Sequence, residues 1–510
     1  MIRHTLAVLA LAAAAPAWAQ SAPLSLSGAA KKAAETITAD DVRRRIGIIA
    51  HDSMGGRDTP SRGLDLTAHY VGEEFRRFGL TPGGDAGSFI QQYAITKLQL
   101  DPAGSSVTIA VGGRTTTLPF AHTARYLGGD VPPAGASGPV VLVAGKPDAG
   151  DFTAATVGGR VLVVALPSGN SLPRDVQVAL LGAKPAALIM LSTADSATFA
   201  QRLARTRPRV ATDGDAPRPL TVEVREAALA AALTEAGADL TAARAATASV
   251  VTELRGATAQ VTVKETVLER QTAPNTVGIL RGSDPKLRDE YIVFSAHMDH
   301  VGIAANGRCG AVGADSICNG ADDDASGTIG VVELAEAYAR KGVKPRRSII
   351  FLTVSGEEGG LRGSRYFSEK PPVPMSQIVA NINMDMIGRN WADTIVAIGR
   401  EHSDLGATLD RVNKAHPELG MTAIDDIWPQ ENFYRRSDHY NFARKGVPIL
   451  FFFNGVHEDY HKPTDHPEKI DADKEARILK LIYFLGLEIA NSPAKPKWNE
   501  ASYKDIVATR

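Results

Sequence analysis

Residues 291–300, Tyr291-Ile292-Val293-Phe294-Ser295-Ala296-His297-Met298-Asp299-His300, run from an uncharged stretch straight into two imidazoles and a carboxylate. Such a run, rich in β-branched and aromatic side chains, is too short for an ordinary helix and suits a strand buried on both faces. Three later runs repeat the pattern. Residues 348–354 end before Gly356-Glu357-Glu358-Gly359, residues 378–384 lead into Asp385, and residues 447–453 lead to Asp459-Tyr460-His461. Helical spacing fits between and after them, notably over 329–340 and 474–490. Strands alternating with helices predict an α/β fold, with a mixed, mostly parallel sheet and helices on both faces. Ligands of such sheets bind beyond the carboxyl ends of the strands, where these polar residues fall.

Working outward, Val42, Ile46, Ile49, Leu66, Tyr70, Phe75 and Phe78 recur at helical spacing, so residues 31–118 read as the amino-terminal part of the same domain. Between 120 and 255 the texture changes to short apolar runs separated by Gly, Pro and Asp, which predicts an inserted β-rich domain. The main domain then resumes over 256–492, and 493–510 reads as a polar tail. Residues 1–19 carry Arg3 and His4, an apolar run from Leu6 to Ala15 and Ala17-Trp18-Ala19, the pattern of a cleaved signal peptide. The expected product is exported, periplasmic or extracellular, with no membrane span. In an oxidising compartment the two cysteines, Cys309 and Cys318, are expected to pair.

The chain has 510 residues, 44% apolar and 22% charged, which excludes general disorder. A net charge of -1 gives no electrostatic case for nucleic acid. Chemistry is concentrated instead: eight of the 12 histidines lie between 297 and 466, beside the acidic stretch Asn319-Gly320-Ala321-Asp322-Asp323-Asp324-Ala325-Ser326-Gly327. Imidazoles and carboxylates are zinc-type ligands, and adjacent glycines let the backbone turn sharply around an ion. Two zinc ions balanced by three carboxylates and a hydroxide leave a neutral cluster. Ser437-Asp438-His439 does not read as a hydrolytic triad, because triads are assembled from residues far apart in sequence.

The segment from about 275 to 466 resembles the zinc-dependent exopeptidases of metallopeptidase family 28. The resemblance rests on Ala-His-Met-Asp-His, Gly-Ala-Asp-Asp-Asp-Ala-Ser-Gly, Gly-Glu-Glu-Gly, Asn-Met-Asp-Met-Ile-Gly-Arg and Asp-Tyr-His-Lys-Pro-Thr-Asp, in that order. The insertion looks like a protease-associated domain. The resemblance implies that Asp323 bridges two metal ions, with His297 and Asp385 completing one site and Glu358 and His461 the other. It implies Glu357 as general base and Asp299 as the carboxylate that fixes the His297 imidazole. Tyr460 matches a tyrosine that hydrogen-bonds the tetrahedral oxygen, and Tyr434 a position used for this in other members. A cis peptide between Asp323 and Asp324 is also implied, whereas His300, His402, His416 and His466 are read as surface or supporting groups.

The implied activity is that of an aminopeptidase acting on peptide substrates with two Zn2+, for which Co2+ or Mn2+ can substitute. A carboxypeptidase, a glutaminyl cyclase and a non-catalytic receptor-like protein remain open on the same fold. The oligomeric state is not readable.

Overall fold

Period-two alternation sends the side chains of each central strand to opposite faces. In Tyr291–His297, Ile292, Phe294 and Ala296 join one buried apolar cluster while Tyr291 and Val293 join another. Ser348–Val354 divides likewise, with Ile349 and Phe351 on the first side and Ile350, Leu352 and Val354 on the second. Both faces are therefore covered, which is why these runs are continuously apolar rather than alternating. The computed structural model describes residues 27–167, 171–204, 208–213 and 218–507. The signal-peptide reading of residues 1–19 lies outside the described residues.

The chain divides into two compact units, one reaching Tyr93 and resuming over Ala273–Val507, the other Ala94–Thr272. In the first, Tyr291–His297 pairs in parallel with Ser348–Val354 on one side and Ile378–Met384 on the other, and Ile378–Met384 pairs in parallel with Ile449–Phe452. Antiparallel partners flank this core: Thr394–Ile398 against Ile449–Phe452, and Thr276–Leu280 of the strand Glu265–Leu280 against Ser348–Val354. The sheet is thus mixed, as expected, but the expectation of a mostly parallel sheet holds only for this four-stranded core, since antiparallel pairings dominate outside it. Gly327–Ala339 and Ala472–Asn491 are the central helices, each buried along most of its length. The amino-terminal pattern forms two helices, Ala39–Ile49 and Arg62–Arg77, parted by a turn over Asp52–Arg57.

The second unit carries an eight-stranded sheet of its own. Ala136–Gly145, Val161–Ala165, Ala187–Ser192 and Leu220–Arg225 are parallel neighbours, with antiparallel strands on either side. Helices Arg174–Ala183, Ser196–Ala204 and Glu226–Glu235 accompany it, so the unit is α/β rather than simply β-rich. Parallel neighbours require such crossovers.

Two boundaries read from the sequence need correction. The insertion runs from 94 to 272, not 120 to 255, because Ser106–Val111 and Arg114–Pro119 pair into the second sheet alongside Ser249–Thr262. Both boundaries fall inside continuous strands, Ile90–Leu100 and Glu265–Leu280, so no turn signal marks them. The polar tail, mostly exposed over 493–507, carries structure of its own. Glu500–Ile506 is a helix whose Ile506 is buried with Trp498 and Val507 in an apolar cluster, and Trp498 Nε1 donates to the Gly446 carbonyl at 2.9 Å. Among the described residues no helix is long and apolar enough to cross a membrane.

Candidate metal centre

The carboxyl ends of the parallel strands meet at one point in the first unit. His297 is the last residue of its strand, Asp385 directly follows Ile378–Met384, and Glu357 and Glu358 follow Ser348–Val354 by three and four positions. Asp323 comes from the acidic turn before Gly327–Ala339, and His461 from the loop beyond Ile449–Phe452. Two groups of potential ligands result, His297, Asp323 and Asp385, and His300, Asp323, Glu358 and His461.

Asp323 belongs to both. Its Oδ1 lies 3.4 Å from His297 Nε2, and its Oδ2 lies 3.2 Å from His461 Nε2 and 3.6 Å from His300 Nδ1. His297 Nε2 is 3.6 Å from Asp385 Oδ2, and Glu358 Oε1 is 3.0 Å from His300 Nδ1 and 3.1 Å from His461 Nε2. His461 Nε2 and Glu358 Oε1 are buried without a hydrogen-bond partner among the described residues. Orphaned nitrogen and oxygen atoms converging on a carboxylate suit a zinc-type ion, and imidazole and carboxylate are the donors such an ion takes. The backbone is also committed here. His461 and Met386, next to Asp385, have φ of 57° and 54°, a left-handed conformation that costs about 1–3 kcal/mol each and gathers at functional sites.

The surrounding groups explain why the motifs have their form. The peptide from Asp323 to Asp324 is cis. Asp324 accepts from Gly327 N at 2.8 Å, capping the following helix, and from His297 N at 3.0 Å. Asp465, the last residue of the fifth motif, accepts from the backbone of Asp322 and Asp323 at 3.0 and 3.2 Å and so holds the turn that presents Asp323. Arg389, the last residue of the fourth motif, donates to Asp459 Oδ2 at 3.0 Å and ties the two motifs together. Ser437 Oγ donates to Asp385 Oδ2 at 2.9 Å. His439 instead bonds the Tyr434 carbonyl through Nε2 at 2.8 Å, so the tripeptide forms no triad.

Asp299 differs in detail from expectation. The His297 Nδ1 contact at 3.1 Å is with the Asp299 backbone carbonyl, while the carboxylate stands 3.7 Å away. That carboxylate accepts from Glu357 N at 3.2 Å and Thr59 Oγ1 at 3.0 Å, so it positions the Glu357 backbone as much as the imidazole. The adjacent glutamates are driven apart electrostatically. Burial pushes the Glu357 carboxyl well above the ordinary range; burial also opposes the Glu358 anion, yet the His300 and His461 imidazoles hold it well below. Environments that separate neighbouring carboxyls mark different chemical roles.

An open cleft gives access, lined by His297, Asp323, Glu357, Asp385 and Tyr460 and, at its apolar end, by Phe433, Phe451 and Phe453. Tyr460 stacks on His461 with ring centroids 3.9 Å apart. Tyr434 is not brought to the cleft. Its buried ring packs edge-on against His402 at 4.4 Å, and its hydroxyl is buried with no partner among the described residues. Asn432, at φ 54°, redirects the chain just before it.

Four residues were missed as site residues. His300, read as a supporting group, is wholly buried inside the second ligand group. Arg57 donates to the carbonyls of Ile49, Met298, Asn319 and Gly320 at 2.6 to 2.9 Å, clamping both ligand-bearing loops, and burial pulls its guanidinium down to about 10. Its contacts are to backbone, so no sequence signal announces them. Asp465 and Arg308 complete the list. Arg308, next to Cys309 of the Cys309–Cys318 disulfide, donates to the Glu358 carbonyl at 2.5 Å; the disulfide is formed.

Compared with known proteins, residues 275–485 match peptidase family M28. A probable zinc metalloprotease of Pyrenophora tritici-repentis is 28% identical over 225 residues, 36% of this chain and 46% of the relative. A probable leucine aminopeptidase of Arthroderma otae is 26% identical over 249 residues, 47% of this chain and 63% of the relative. The chain thus spans about half the length of the relatives it matches. Among solved structures, an aminopeptidase from Aneurinibacillus sp. strain AM-1 aligns with a TM-score of 0.48 and 17% identity, over 91% of this chain and 97% of the other.

Proposed function

We propose that this chain, whose residues 275–485 match peptidase family M28, is a member of that family and an exported aminopeptidase using two zinc ions. The observation that carries the reading is Asp323, whose two oxygens face separate ligand groups, His297 with Asp385 and His300 with Glu358 and His461. Bound zinc would supply polarisation of the scissile carbonyl and acidification of water. Glu357, beside His297 and Asp385 in the cleft wall, receives the proton of the attacking water on a carboxylate oxygen and returns it to the departing amine. Tyr460 offers its hydroxyl to the oxygen that becomes negative as the carbonyl is attacked. Phe433, Phe451 and Phe453 form the apolar end that takes the side chain of an amino-terminal residue.

Export is supported by the character of residues 1–19 and by the disulfide, which persists in oxidising compartments. Co2+ or Mn2+ is expected to restore activity to the metal-free protein. The test is metal analysis of the purified chain beside hydrolysis of amino-acyl anilides and of carboxy-terminal dipeptide substrates. Two zinc ions and release of amino-terminal residues are expected. Carboxy-terminal release or cyclisation of amino-terminal glutamine would reassign the activity, and absence of both metal and hydrolysis would remove it.

A further inference from the structure

His300 stands three residues after His297, in a position to which neither the family match nor the motif roles assign a ligand. Its side chain is wholly buried, and neither ring nitrogen has a hydrogen-bond partner among the described residues. Leaving buried polar groups unmatched is destabilising, so the ring needs a reason to be there. Nδ1 lies 3.0 Å from Glu358 Oε1 and 3.6 Å from Asp323 Oδ2. These are the same two oxygens that His461 Nε2 approaches at 3.1 and 3.2 Å. The two imidazoles stand edge to face, with centroids 5.5 Å apart. Gly320, at φ +58°, packs against the ring: a Cβ there would sit 2.5 Å from His300 Cγ.

We propose that His300 is a metal ligand, so that the two halves of the centre are unequal: two imidazoles and two carboxylates in one, one imidazole and two carboxylates in the other. This rests on the two-metal reading above and refines it. Four protein ligands make a closed zinc site of structural type, whereas three leave a position open for water or substrate. The His300 half therefore fills first and holds its ion, and the half with His297 and Asp385 is the open, exchangeable one.

The experiment titrates the metal-free full-length chain with Zn2+ against a chromophoric competing chelator. The wild type should show two unequal steps. His300→Ala should weaken the tighter step by at least ~100-fold, since loss of a group that merely supports a ligand already costs 10–100-fold, while leaving the weaker step within about threefold. His300→Asn, closer in polarity, should do the same. Unchanged constants in both variants would overturn the assignment. Should neither variant fold, X-ray absorption of wild-type protein carrying one equivalent of Zn2+ decides: two imidazoles around the ion are expected, and one imidazole overturns it. A chain that binds no Zn2+ refutes the two-metal reading itself, whereas two ions with one imidazole each refute only His300.

Discussion

Both units build parallel strands into a twisted sheet, and both place acids at the carboxyl ends of those strands, yet they treat the acids in opposite ways. In the second unit each acid finds a partner close by. Asp148 accepts from Gly150 N at 2.8 Å, Asp195 accepts from Thr198 N at 2.7 Å, and Glu226 pairs with Arg244. In the first unit Asp323, Asp385 and Glu358 converge on imidazoles, and Glu358 Oε1 and the facing nitrogens of His300 and His461 are left without hydrogen-bond partners among the described residues. Satisfied strand-end acids are punctuation, whereas converging unsatisfied ones call for a cation. Architecture alone does not distinguish the two cases.

The contrast breaks first at Glu357, where the largest effect is expected. Glu357→Gln keeps size and hydrogen bonding but removes the proton-accepting oxygen, so kcat should fall ~10²- to 10⁴-fold while zinc content and KM hold. Glu358→Ala should instead lose zinc and activity together. Metal stoichiometry beside kcat and KM for both variants decides, and full activity in Glu357→Gln ends the general-base assignment.

A smaller effect is expected where the chain supports a ligand without touching metal. Ser437→Ala removes the hydrogen bond to Asp385 Oδ2, and zinc affinity in that half should drop about 10–100-fold with the fold intact. Zinc retention during dialysis against a graded chelator measures it. Retention equal to wild type would mean that Asp385 needs no such help.

Much of this centre was legible because ligand residues directly abut apolar runs: a strand end is visible in sequence, and His297, Asp385 and the two glutamates are tied to strand ends. What lies beyond a turn was not. Tyr434 sits three residues before Ser437, but the left-handed Asn432 turns the chain so that its ring packs on His402. That His300 joins the second group of potential ligands was not legible, because strand alternation no longer applies past His297 and its direction could not be deduced. The insertion boundaries were hidden for a related reason, since strands that run through both units show no change in pattern at residues 94 and 272.

The first unit should also be the more acid-sensitive, and His439 isolates part of that. Burial takes its imidazole from the usual 6.5 down to about 3, so as pH falls the unfolded chain takes up a proton that the folded chain refuses. Stability from this group is complete above about 6.5 and is lost at roughly 1.4 kcal/mol per pH unit below it, down to about 3. His439→Gln keeps a donor for the Tyr434 carbonyl but cannot titrate. Its unfolding free energy, measured by denaturant from pH 7 to 5, should fall less steeply than that of the wild type. Parallel curves would show that His439 does not contribute to the slope.

The smallest expected effect belongs to the second unit and tests the contrast from the other side. Asp195 lies three residues beyond the strand Ala187–Ser192, much as Glu357 lies three beyond Ser348–Val354, so position alone would grant it the same standing. Its oxygens, however, bond Thr198 N at 2.7 Å and Thr198 Oγ1 at 3.1 Å, at the start of the helix Ser196–Ala204. A side chain occupied in this way caps a helix, and it belongs to neither group of potential metal ligands. Asp195→Ala should therefore lower the thermal midpoint slightly while leaving zinc content, kcat and KM within about twofold, as expected of a substitution whose only role is a cap. Asp195→Asn, which keeps one accepting oxygen, should recover most of the midpoint. A tenfold loss of kcat in either variant, with the midpoint unchanged, would make a satisfied strand-end acid part of the chemistry, and hydrogen-bond satisfaction would no longer separate the two sheets.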